Sequence, residues 1–156
     1  MNADDNQKKA KKVFGFFKKK AAPPPPPASA NETIIENAAS MLHLQLMICR
    51  SQPKYLTKLD SGFVRGYLYG FFDCSLQLLG HPIHDDEAFG RLLLRGHALL
   101  LSSDLGDTDK YTIASLNIQD DLQFKQGAAT GGNECHALLT NKSDNALGLM
   151  RYFHEL

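Results

Sequence analysis

Gly62, Gly66 and Gly70 stand at four-residue intervals inside the mostly apolar stretch from Ser61 to Gln77, and no other feature restricts the folding of this chain as much. At about 100° of rotation per residue, the three glycines share one helix face with Arg65, Tyr69, Asp73 and Gln77. Phe63, Val64, Tyr67, Leu68, Phe71, Leu78 and Leu79 lie opposite, as an ordinary core stripe. Each glycine inside a helix costs about 1 kcal/mol relative to alanine, and water gives nothing back. The pattern therefore predicts that another backbone comes close to the glycine face, because small residues four apart let two helices approach. A neighbouring helix of the same chain, a second copy, a partner's helix or a small ligand would each meet that requirement. We take the face as partner-binding, built from Gly62, Arg65, Gly66, Tyr69, Gly70 and Asp73. Arg65 and Asp73 are then interface charges and Tyr69 the anchor, since Tyr and Arg are enriched at binding hot spots.

The sequence around this helix is helical as well. Thr33-Ile34-Ile35-Glu36 has capping-box spacing, and Ile34, Ile35, Ala38, Leu42, Leu46 and Cys49 recur at helical intervals up to Ser51-Gln52-Pro53. A second helix is expected from Thr57 to Leu79, closed by Gly80-His81-Pro82, because proline disfavours helix in the residue before it. A third, capped by Asp85 or Asp86, should run through Leu101; its Leu92-Leu93-Leu94 and Leu99-Leu100-Leu101 make it apolar on most sides and so central. Tyr111 to Phe124 suits a helix better than two short strands, Gly127 to Gly132 has the composition of a flexible loop, and Asn133 and Ser143 can cap two short final helices. Together these predict an all-α fold, a compact bundle of about five or six helices forming one domain over residues 31–156.

Residues 1–30 are a different object. Seven lysines against Asp4 and Asp5 give them a net charge of +5, while ten Lys/Arg against fifteen Asp/Glu leave residues 31–156 at −5, so the formal zero hides two opposite halves. A polar, basic segment cannot bury enough apolar surface to offset the entropy of ordering it, and a disordered, proline-rich tail is expected. Within it Lys11, Lys12, Phe14, Phe16, Phe17, Lys18, Lys19 and Lys20 set cations beside insertable rings. That pairing suits the headgroup boundary of an anionic membrane, and less well a nucleic acid; a solvated charge run that touches nothing has the same composition. Pro23 to Pro27 predict a polyproline II spacer roughly 15 Å long, at about 3.1 Å per residue. A secretory leader is not expected, because Val13-Phe14-Gly15-Phe16-Phe17 falls short of the roughly 7–15 apolar residues required. No apolar run approaches the roughly 20 residues of a membrane span. Cys49, Cys74 and Cys135 are too few and scattered for a disulfide framework. A reduced, cytoplasmic setting, at most peripheral to the inner face of a membrane, follows as the expectation.

Candidate chemistry is sparse. His81-Pro82-Ile83-His84-Asp85-Asp86-Glu87 gathers imidazoles and carboxylates, so a metal-dependent enzyme using His81, His84 and Asp85 is the competing reading. The two histidines flank a proline turn instead of sharing a helical face, and acids at a helix start are attracted by its dipole without any metal. Glu87, Arg91 and Arg95, at four-residue steps, read as a surface ion pair. Cys135-His136 does not make a nucleophile and its base, because adjacent helical residues point about 100° apart. There is no phosphate-cradling glycine loop and no nucleophile elbow. We therefore expect no catalytic residues and no cofactor, but a protein-interaction module, adaptor or chaperone-like, that binds a partner or itself as a homodimer.

Overall fold

The computed structural model describes residues 29–156, so the membrane-contact candidates from Lys11 to Lys20 and the proline run lie outside the described residues. These residues form seven α-helices: α1 Ala30–Cys49, α2 Tyr55–Leu59, α3 Gly62–Leu79, α4 Asp86–Leu101, α5 Thr108–Asn117, α6 Leu122–Leu139 and α7 Gly148–His154, with no strand among them. The all-α expectation holds, with more helices than expected because two long segments are broken.

Each helix start has a local cause. Ser29 caps α1, its hydroxyl accepting from the Glu32 N–H at 3.2 Å while the Glu32 carboxylate accepts from the Ser29 N–H at 2.8 Å. The capping box thus begins four residues before the one predicted at Thr33 and Glu36. Ser61, with extended backbone, accepts from the Val64 N–H at 3.3 Å and starts α3 there. That cap splits the single helix expected from Thr57 to Leu79. Asp85 caps α4 as expected, accepting from the Ala88 N–H at 2.6 Å. Asp121 accepts from the Gln123 and Phe124 N–H groups at 2.9 and 3.1 Å, so the segment Tyr111–Phe124 is divided between α5 and α6.

The largest departure is at the C-terminal end. Gly127 to Gly132, expected as a loop, lie in the middle of α6, and Asn133 is an interior residue of the same helix. Ser143 bonds Asn145 in the connection, and one final helix follows.

Long helices α1 and α3 run antiparallel, tied at one end by Asn31 and His81 and near the other by Gln45 and Tyr67. Helix α4 lies parallel to α1, Arg95 pairing with Glu36 at one level and Asp104, just beyond the end of α4, with Arg50 at the other. Helix α6 lies parallel to α3. The core sits between these four. Ile35, Leu42 and Leu46 of α1 meet Leu68, Phe71 and Phe72 of α3 and Leu93, Leu100 and Leu101 of α4, all fully buried. It is α3, not the leucine-rich α4, that is central: Leu99 on α4 is 50% exposed, so that helix keeps a wet side.

Candidate functional site

The glycine face is occupied from within the chain. A Cβ at Gly66 would overlap the Phe124 carbonyl and stand 2.9 Å from the Phe124 Cα; at Gly70 it would meet the Ala128 backbone in the same way, 2.8 Å from its Cα. The relation is reciprocal. A Cβ at Gly127 would overlap the Phe63 carbonyl and lie 2.8 Å from the Tyr67 nitrogen, and one at Gly131 would lie 3.0 Å from the Tyr67 Cα. Two parallel helices thus interleave glycines with carbonyls, each of these four glycine Cα–H groups facing an oxygen of the other helix, a weak contact worth about 0.5–1 kcal/mol. This corrects the expectation that Gly62, Gly66 and Gly70 receive a partner: Gly66 and Gly70 admit the α6 backbone, and a Cβ at Gly62 would stand 2.9 Å from the Asp121 carboxylate that caps α6. The signal that would have found it is in the sequence, since Gly127 and Gly131 repeat the four-residue spacing.

Arg65 is also turned inward. It is buried at 7% exposure, its guanidinium 4.0 Å above the Tyr111 ring, donating to the Tyr111 carbonyl at 2.7 Å and the Ser115 hydroxyl at 2.9 Å. Its remaining donors go to the carbonyl and carboxylate of Asp60. This charge therefore fastens α3 to α5 and closes the α2–α3 corner, and is not an interface charge.

Tyr69 and Asp73 fare differently. They line an open groove of about 440 Å³ between the C-terminal half of α3 and the start of α4, together with Gln77, His81, Asp86 and Phe89. The Tyr69 ring stands edge-on to Phe89 at 5.4 Å and tilted against Phe124 at 5.3 Å. Partial burial raises the Tyr69 hydroxyl above the ordinary tyrosine range, and the charges of Asp73 and Asp86 add to the rise. Gln77 donates to Asp73 at 2.7 Å, which fixes that carboxylate on the groove wall. One end of the groove abuts α1, where the His81 N–H donates to the Asn31 side chain at 2.8 Å and the Asn31 amide returns a bond to the His81 carbonyl at 3.2 Å.

The metal reading fails on geometry. Among the described residues no three His, Cys, Asp or Glu side chains come together as a ligand set, so His81, His84 and Asp85 do not form a metal centre. Asp85 is committed as the α4 cap. Arg91 pairs with Glu87 on the surface, whereas Arg95 crosses to Glu36. Cys135 is fully buried beside the Ser75 hydroxyl at 3.2 Å, and burial pushes its thiol up to about 12, while His136 is exposed.

His97 is wholly buried, its ring edge-on to Phe72 at 5.8 Å and to Tyr111 at 5.2 Å. The Thr112 hydroxyl donates to the Thr108 carbonyl at 3.0 Å, so the His97 Nδ1–H must be the donor in the 2.8 Å contact with Thr112. Nε2 is then a lone-pair nitrogen without a hydrogen-bond partner. Burial, with the nearby Arg65 charge, lowers this imidazole to about 3.

The face that sequence reasoning missed is apolar. Leu44, Met47 and Ile48 of α1 are 65%, 55% and 57% exposed at i, i+3, i+4 spacing, and Leu44 shares with Leu99 of α4 a groove of about 550 Å³. The signal was present, since α1 has an apolar second stripe in its C-terminal half behind the one assigned to the core.

Compared with protein-family models, curated proteins and solved structures, the chain matches none. No described helix is long and apolar enough to cross a membrane.

Proposed function

We propose that the protein is a non-enzymatic interaction module, an adaptor or chaperone-like helical bundle, that associates with a second copy of itself through the outward face of α1 and α4. What supports it is the exposed α1 stripe Leu44, Met47 and Ile48, whose Leu44 shares a groove with the half-exposed Leu99 of α4. Aliphatic side chains exposed singly are normal, whereas a contiguous apolar patch marks an interaction surface. The i, i+3, i+4 spacing on α1 is that of a helix offering anchors to another helix, and a two-fold axis through the stripe would bury it against itself. The polar residues Glu36, Ser40 and His43 border the same groove and supply the rim. The lysine- and phenylalanine-bearing segment Lys8–Lys20 supplies a second, nonspecific contact to anionic lipid.

Light scattering of the full chain at low and high salt tests the reading. A dimer at both salt concentrations is expected, because apolar burial is not screened, and Leu44→Glu with Met47→Glu should reduce it to a folded monomer whose helical circular dichroism matches wild type. A monomeric wild-type chain at both salt concentrations refutes self-association.

A further inference from the structure

We infer that Cys74 of α3 and Cys135 of α6 form a reversible disulfide, a redox lock across the glycine interface of those two helices. It is independent of the apolar face on α1 and α4 that carries the proposed function.

The register of the helix pair brings the two residues together. Gly66 and Gly70 meet the α6 backbone, and Gly127 and Gly131 meet the α3 backbone. Four residues further along each stripe, one helical turn, stand Cys74 and Cys135. A methyl added at Gly70 would lie 2.8 Å from the Ala128 Cα, so the helices already approach within the Cα separation of about 4.4–6.8 Å that a disulfide requires. The side chains agree with the register. The Ser75 hydroxyl holds the Cys135 sulfur at 3.2 Å, and the Cys74 and Cys135 thiols lie within hydrogen-bonding reach, each altering the ionisation of the other. Both are free thiols in this structure.

Access gives the pair an order of reaction. Cys135 is fully buried and Cys74 partly exposed, so a small oxidant meets Cys74 first. Burial raises both thiols, Cys135 to about 12, which makes them slow nucleophiles suited to sustained oxidising conditions. With a low-molecular-weight disulfide such as oxidised glutathione, the Cys74 thiolate attacks one sulfur and expels a glutathione thiolate. Cys135 then gives up its proton, and its sulfur displaces the second glutathione from Cys74. Two protein thiols are thereby oxidised to one disulfide, and one glutathione disulfide is reduced to two thiols.

The test is to incubate the folded full chain with oxidised glutathione, quench with acid, alkylate the remaining thiols in denaturant and map the peptides by mass spectrometry. A Cys74–Cys135 link within one chain is expected, with Cys49, whose sulfur lies against the Gln45 carbonyl on α1, recovered alkylated. The link closes about sixty residues of chain, so Tm should rise by roughly 10 °C and return on reduction; Cys74→Ser treated alike should show no rise. Cys74 left as the mixed glutathione disulfide would overturn the inference, because Cys135 would then fail to reach it. Three unreacted thiols, links to Cys49 or Cys74–Cys74 links between chains would overturn it as well. A linked form melting below the reduced one would overturn the lock, since α3 and α6 would have to part to make the bond. Masses are read on denatured protein, so none of these outcomes depends on self-association through Leu44 and Met47.

Discussion

Replacing Gly66 with alanine should destabilise the protein, although alanine is the better helix former. In a free helix the change is worth about 1 kcal/mol in favour of alanine. Here the new methyl would overlap the Phe124 carbonyl and lie 2.8 and 2.9 Å from its C and Cα atoms, where ordinary carbon contacts are about 3.5–4.0 Å. The obstacle is helix backbone, which cannot rotate aside as a side chain can, so α6 must withdraw by something on the order of 1 Å. A gap of about 0.5–1 Å forfeits roughly a quarter to a half of each dispersion contact, and Gly70, Gly127 and Gly131 share the same interface. Overpacking of this kind costs about 1–3 kcal/mol or more, and the rigid obstacle puts Gly66 at the upper end, for a net loss of about 2 kcal/mol. At about 4 °C per kcal/mol for a domain of this size, Tm should fall by about 8 °C. Gly90 is the internal control: it lies in α4 with nothing within 4 Å of its would-be Cβ, so Gly90→Ala should raise Tm by about 4 °C through propensity alone. Thermal unfolding followed by circular dichroism measures both. A Gly66→Ala variant melting at or above wild type would refute the α3–α6 backbone contact.

The buried His97 sets a pH dependence. With its folded value depressed to about 3 against about 6.5 unfolded, it adds stability that is fully present above pH 6.5 and is lost as pH falls toward 3. Urea titrations of wild type and His97→Gln should differ in slope below pH 6 by up to about 1.4 kcal/mol per pH unit, and equal slopes would exclude this histidine as the cause. The Glu134 carboxylate accepts from the Gly148 N–H at 2.9 Å and from the Tyr67 hydroxyl. Glu134→Ala should cost about 1–3 kcal/mol and speed hydrogen exchange across α7; protection there equal to wild type would show that α7 docks without it. Removing Lys18–Lys20 should weaken binding to anionic vesicles by about 3 kcal/mol at low salt, roughly a hundredfold, with Tm unchanged. Vesicle affinity that does not change would end the lipid reading.

Local chemistry alone made much of the bundle legible. The spacing of Ile35, Ala38, Leu42, Leu46 and Cys49 marks the buried side of α1, and Asp85 caps α4 where a carboxylate before an apolar run is expected. The breaks at Ser61 and Asp121 were harder to see, because a polar residue inside a periodic pattern caps a helix or sits on its wet side according to what packs beyond it.

What the sequence by itself determined is that α3 must admit a close backbone, since three glycines in a helix are unfavourable without one. Which backbone answers was decided only by the tertiary structure. Gly127–Gly132 have the intrinsic preferences of a loop, and their helical conformation in α6 follows from contact with carbonyls of Phe63 and Tyr67 some sixty positions earlier in the chain. The same dependence turned Arg65 from a surface charge into a buried tie, because its partners Tyr111 and Ser115 arrive on another helix. Propensity acts within a few residues, whereas the free energy of a glycine interface belongs to two helices at once, and neither segment alone holds enough of it to reveal the answer.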